Sequence, residues 1–194
     1  TAIGISFLLE NGAQLLFGSD TKSMDPIVPG NISLGSVTIS NAALLTIVVT
    51  IIAMAALTVV VQKTKLGKAM RAVSEDMGAA QLMGINVNAT ISLTFAIGSA
   101  LAAVAGALMC SSYPTLMPTT GAMPGIKAFT AAVFGGIGSI PGALLGGLLL
   151  GVIETFARAY ISTELSTAIV FGVLIIVLLV KPAGLLGKTV REKV

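Results

Sequence analysis

The 194-residue chain is 55% hydrophobic and only 10% charged, with a mean hydropathy of +1.01, more apolar surface than a soluble domain can bury in its own core. A net charge of +3 from eleven basic residues, spread beside apolar runs rather than gathered in one patch, gives no footprint for nucleic acid. One cysteine and no histidine exclude a disulfide framework, a Cys–His dyad and a conventional zinc site, so no metal or catalytic residue is expected.

A bilayer core of about 30 Å takes roughly 20 apolar residues as helix, and that length serves as a ruler along the chain. Residues 1–17 open inside an apolar run without the basic start or cleavage site of a signal peptide, and read as a partial span truncated at the amino end. Glu10, with Asn11 and Gln14 nearby, sits within this run; a place on a translocation path and a helix contact are both open. Residues 18–40 hold one lysine against two aspartates and many turn formers, and read as an outer loop. Residues 41–61 carry no charge and make a second span.

The segment 62–87 gathers Lys63, Lys65, Lys68 and Arg71, which places it on the cytoplasmic side. Within it, Ser74 is expected to cap a helix of about two and a half turns, with Glu75 and Asp76 in its first turn and Gly84 as its stop. Ala79, Leu82 and Met83 fall on one side at i, i+3 and i+4, and a helix this short needs something to dock on. Either its own bundle or a cytoplasmic partner would serve.

A third span covers 88–110, where Gly98, Ala102, Ala103 and Gly106 allow close approach of a neighbour. The tract 126–160 is broken by GGIGSIPG at 135–142, in which five of eight residues are Gly or Pro, and splits into a short helix at 126–134 and a longer one at 141–160. The short arm is expected to be a half-helix, since nine residues rise only about 13 Å. Gly136-x-Gly138 lacks the preceding strand of a phosphate-binding turn. Gly135, Gly136, Gly138 and Pro141 instead suit a structural hinge or, as an open alternative, freed backbone lining a solute path. Glu154 and Arg158 are placed to form an i,i+4 ion pair near the outer end of the longer helix. A final span covers 165–180, and Lys181, Lys188, Arg191 and Lys193 mark a cytoplasmic tail at 181–194. The whole is an all-α, polytopic membrane bundle, a single transmembrane domain of six segments, one clipped and one short or re-entrant.

Two blocks, KTKLGKAMRAVSEDMGAAQLMGINVNATISLTFAIGSALAAVAGAL and IKAFTAAVFGGIGSIPGALLGGLLLGVIETF, resemble permease subunits of bacterial branched-chain amino-acid ABC importers of the LivH type. The resemblance implies the permease fold of these importers in the bacterial inner membrane, and passage of branched-chain or other hydrophobic amino acids. It also implies a second permease subunit, two cytoplasmic ATPases that use ATP-Mg, and an extracytoplasmic substrate-binding protein. It assigns the 62–87 loop to coupling with the ATPase, through Arg71, Ser74, Glu75, Asp76, Ala79, Ala80, Leu82, Met83 and Gly84. Ala79-Ala80-x-x-x-Gly84 is similar to part of the general importer coupling motif, but Gly78 stands where that motif carries Glu. The chain has no G-x-x-x-x-G-K-[ST] stretch of its own, so it is expected to be non-catalytic and to bind no cofactor. The rivals are an ion-coupled secondary transporter or channel, an ABC permease for amides or urea, and, last, an intramembrane enzyme. The first should place ionisable groups at mid-membrane, and the 41–61, 88–110 and 165–180 spans contain none.

Overall fold

A computed structural model describes residues 2–34 and 37–187; Lys188, Arg191 and Lys193 of the expected tail lie outside the described residues. The chain divides into two compact units, Thr1–Thr119 and Thr120–Val194. Among the described residues, four helices are long and apolar enough to cross a membrane.

In the first unit, helix α1 covers Ala2–Phe17 and α2 covers Asn41–Lys63. Between them the segment read as loop forms short antiparallel pairs. Strands β2 (Asn31–Leu34) and β3 (Val37–Ser40) make a hairpin that feeds directly into α2, whose first turn is capped by the Ser40 hydroxyl. Strand β1 (Lys22–Ser23) pairs with β4 (Thr115–Leu116), and Ile27 N–H donates to Ser111 Oγ at 3.1 Å. These bonds tie residues 22–27 to the end of α5 (Val87–Ser112). Between α2 and α5 lies an apolar groove of about 390 Å³, lined by Met54, Leu57, Leu101 and Leu108 among others.

The second unit contains α6 (Ala122–Gly135), α7 (Ile140–Tyr160) and α8 (Thr163–Val180). Helix α6 begins four residues earlier than the sequence reading puts it, because Pro124 falls in the first turn, where its missing N–H would find no helical partner anyway. Its 14 residues rise about 21 Å, longer than the expected half-helix yet short of a bilayer core. Phe134, Leu150 and Val170, one from each helix, form the core, with Val173, Leu174 and Val177 packed around them.

Glycine sets the approach of α6 to α7. A Cβ built on Gly146 would stand 2.4 Å from the Ala131 carbonyl oxygen, and one on Gly135 would stand 2.0 Å from that of Gly142. Any larger residue must push the backbones apart. At the far end of the same pair, Glu154 Oε1 accepts from Lys127 Nζ on α6 at 2.5 Å and from Arg158 Nη2 one turn along α7. The expected Glu154–Arg158 pair is thus half of a triad, and Lys127, lying inside an apolar stretch, escapes the sequence reading. The carboxylate is partly buried, with 17% of its side chain exposed, whereas Arg158 is 48% exposed.

Two pairs of variants are to be compared by thermal unfolding of the permease in detergent. Gly146→Ala should destabilise by roughly 1–3 kcal/mol through overpacking, while Gly151→Ala, whose Cβ meets nothing within 4 Å, should be neutral or slightly stabilising. Glu154→Gln should lose roughly 1–3 kcal/mol because it leaves the Lys127 charge without its partner. Arg158→Gln should lose only about 0.3–0.5 kcal/mol, as an exposed i,i+4 pair does, and equal losses in these two variants would remove the cross-helix role given to Glu154.

Candidate functional site

The loop between α2 and α5 is two helices at a corner. Thr64 breaks away from α2 in extended conformation and its hydroxyl accepts from Gly67 N–H at 3.1 Å, capping α3 (Lys65–Glu75). Gly67 fits close under the end of α2, where a Cβ would stand 2.2 Å from the Val61 carbonyl oxygen. The corner is therefore fixed by one hydroxyl and one absent side chain.

A second short helix, α4, covers Met77–Leu82. Its cap is Asp76, with Oδ1 accepting from Gly78 N–H at 2.8 Å and Ala79 N–H at 3.0 Å. The expected Ser74 cap is corrected: Ser74 lies within α3 and its hydroxyl donates back to the Arg71 carbonyl at 2.8 Å. A carboxylate at the positive end of a helix is the stronger acceptor, so the start shifts two residues along. Glu75 consequently ends α3 instead of opening the next helix. Gly78 is the second residue of α4.

Gly84 closes α4 at φ +79, in the left-handed region that favours glycine. Its N–H donates to Gln81 O and Ile85 N–H to Ala80 O, both at 3.0 Å, the paired bonds of a Schellman turn. Ile85 then packs on a small core of Val73, Ala80 and Val87, one residue each from α3, α4 and the start of α5. This core anchors the loop to its own span.

The anchored face is not the one the spacing suggests. Ala80 is buried, whereas Ala79 is exposed, and Leu82 and Met83 are 90% and 82% exposed. Met77, 60% exposed, adds to the exposed apolar surface of the same short element. Arg71 is exposed on α3. The loop thus holds itself by a small alanine and presents large, flexible apolar side chains outward.

The other expected residues belong to one unit or the other, Glu10 to the first and the 135–141 turn to the second. Glu10 is half-buried on α1 and makes no ion pair among the described residues. Gly135 is the last residue of α6, Gly136 (φ +107) and Gly138 (φ +89) form the turn, and Pro141 sits in the first turn of α7. Ser139 caps α7 by accepting from Gly142 N–H at 3.1 Å, a partner the sequence reading leaves out. Among the described residues no group of three or more His, Cys, Asp or Glu could hold a metal ion.

Comparison with known proteins gives this arrangement its context. The family model described as branched-chain amino acid transport system / permease component matches residues 1–178. The chain is 47% identical to the Pseudomonas aeruginosa high-affinity branched-chain amino acid transport system permease protein BraD, over 100% of this chain and 65% of the relative. It is 45% identical to the permease protein LivH of Escherichia coli K12, with the same coverage. The ribose import permease protein RbsC of Haemophilus influenzae is 32% identical over 49% of this chain and 31% of its own. The chain therefore spans 65% of the length of the first two relatives, and no solved structure matches it. With the family model covering residues 1–178 and relatives 45–47% identical over the whole chain, the chain belongs to the permease component family of branched-chain amino acid transport systems.

Proposed function

We propose that the chain is a membrane-spanning permease subunit of an ATP-driven importer, passing branched-chain or other hydrophobic amino acids across the bacterial inner membrane. The observation that carries this reading, beside family membership, is the α3–α4 corner. Its base is fixed by Val73, Ala80 and Val87, and its outer face offers Met77, Leu82 and Met83. Methionine and leucine at an exposed tip suit an adaptable apolar contact with a separate protein.

In this reading two cytoplasmic ATPases take up the tip, hydrolyse ATP-Mg and swing the corner. A second permease subunit completes the path and a substrate-binding protein delivers the amino acid from outside. The permease performs no covalent chemistry; it alternates between inward and outward access as a population shift driven by the ATPases. The loop's basic residues and the tail set the C-terminus in the cytoplasm. Branched-chain specificity is favoured over sugars because the sugar importers match less of the chain at lower identity.

Two measurements test this. Affinity capture of the permease from native membranes should recover an ATPase, and Leu82→Asp combined with Met83→Ser should lower recovery at least tenfold, about 1.4 kcal/mol of binding. Gly84→Trp should do the same by adding bulk where a Cβ meets open space, while Gly84→Asn, which tolerates positive φ, should retain the ATPase. Recovery of no ATPase by the unaltered protein would sink the coupling reading. In uptake competition, leucine and valine should displace labelled leucine whereas urea and polar amino acids should not; displacement by urea alone would move the substrate class to amides.

A further inference from the structure

The three helices of the second unit are joined at one end by main chain. An α-helix leaves its last four carbonyls without partners in its own ladder. In α6 the first two of these, Ala132 and Val133, accept from Gly136 N–H. The next two, Phe134 and Gly135, accept from Leu185 N–H and Leu186 N–H, both at 2.9 Å. The segment that follows α8 therefore supplies the bonds that the end of α6 lacks.

Glycine permits this return. Gly184 lies at φ +77, and a Cβ there would stand 2.6 Å from both Gly136 Cα and Gly136 N. Gly136 in turn would place a Cβ 2.3 Å from Gly187 N. Leu185 packs against the Phe134–Leu150–Val170 core, and Lys181 Nζ donates to the Leu185 carbonyl at 3.2 Å, closing the segment on itself. The hold combines main-chain hydrogen bonds, a partly buried leucine and two backbones too close for side chains.

We propose that Pro182–Gly187 is a strap that locks the α6–α7 elbow to the end of α8, so that α6, α7 and α8 move as one rigid body when the permease changes state. The elbow glycines then serve close approach rather than bending. Flexing at 135–139 would strip the Phe134 and Gly135 carbonyls of their donors and lift Leu185 from its core. At the opposite end of the α6–α7 pair, Glu154 holds Lys127 and Arg158. The pair is fastened at both ends.

Hydrogen–deuterium exchange of the permease in lipid nanodiscs, read at the Leu185 and Leu186 amides, tests the strap. Both should exchange about 100-fold or more slower than an unstructured chain. Rates near the unstructured value would overturn the strap. Gly184→Ala should speed both amides by about tenfold or more while the α8 amides of Val173–Val177 stay protected, which separates strap release from unfolding. Gly151→Ala, at a helical position where a Cβ meets nothing within 4 Å, should leave both amides protected. Unchanged protection in Gly184→Ala would remove the glycine contact from the argument and overturn it. In the assembly with its ATPases, protection should be equal with and without ATP; loss in one nucleotide state would overturn the rigid body and make the elbow a hinge. The free-permease measurement decides the strap whether or not an ATPase is captured, so the two readings fail separately.

Discussion

A helix leaves four N–H groups at its start and four carbonyls at its end without partners, and this one constraint governs each place where the chain stops being a helix. The chain meets it with local side chains at helix starts. Ser40, Thr64, Asp76, Asn86, Ser139 and Ser162 each accept from the first turn of the helix that follows. Helix ends need donors instead, and side chains of this composition supply few. Gly84 solves it by a left-handed turn that lets its own N–H and that of Ile85 fold back. The end of α6 solves it with a separate stretch of chain 51 residues on, a longer-range answer to the same demand.

This difference explains what could be read from the sequence. The long helices and the breaks between them were legible because length and hydropathy are summed over many residues, and the helices observed at 41–63, 87–112, 140–160 and 163–180 lie close to the apolar runs at 41–61, 88–110, 141–160 and 165–180. Gly84 was legible as a stop because a left-handed terminus favours one residue type. The start of α4 was not. Ser74, Glu75 and Asp76 are adjacent candidates, and only the backbone turn at Asp76 decides which one caps. The return of residues 185–186 to α6 was hidden for a stronger reason. Main-chain bonds carry no residue code, and Gly184 and Gly136 read alone as generic turn formers. Lys127 was overlooked as a lone charge, although a cation within an apolar helix calls for an anion nearby, and Glu154 was in view.

The exposed face of α4 follows from a competition of sizes. A six-residue helix cannot hold itself by its own hydrogen bonds, so it must be pinned by packing. Burying Leu82 or Met83 would bring more apolar area to that packing, yet the site is filled by Ala80. An alanine brings α4 close to Val73 and Val87, and the short distance leaves the large residues outside. Hydrophobic burial within this chain alone gives no account of that choice. The coupling contact proposed for this loop would bury Leu82 and Met83 against a second protein.

Force applied to such a tip is transmitted only as far as the structure behind it is stiff. At the loop, stiffness comes from the Thr64 cap, the Gly67 contact and the Val73–Ala80–Val87 core, which connect the tip to α2 and α5 without a flexible linker. In the second unit the same property comes from the strap and the Glu154 triad. Glycine is abundant at both corners, but its work there is to remove the side chain that would hold two backbones apart. A membrane protein of this kind gains little from hydrophobic attraction between its helices, because lipid tails are as apolar as their side chains. Close backbone contact and satisfied polar groups are what remain to make it rigid, and they concentrate at the corners where its helices turn.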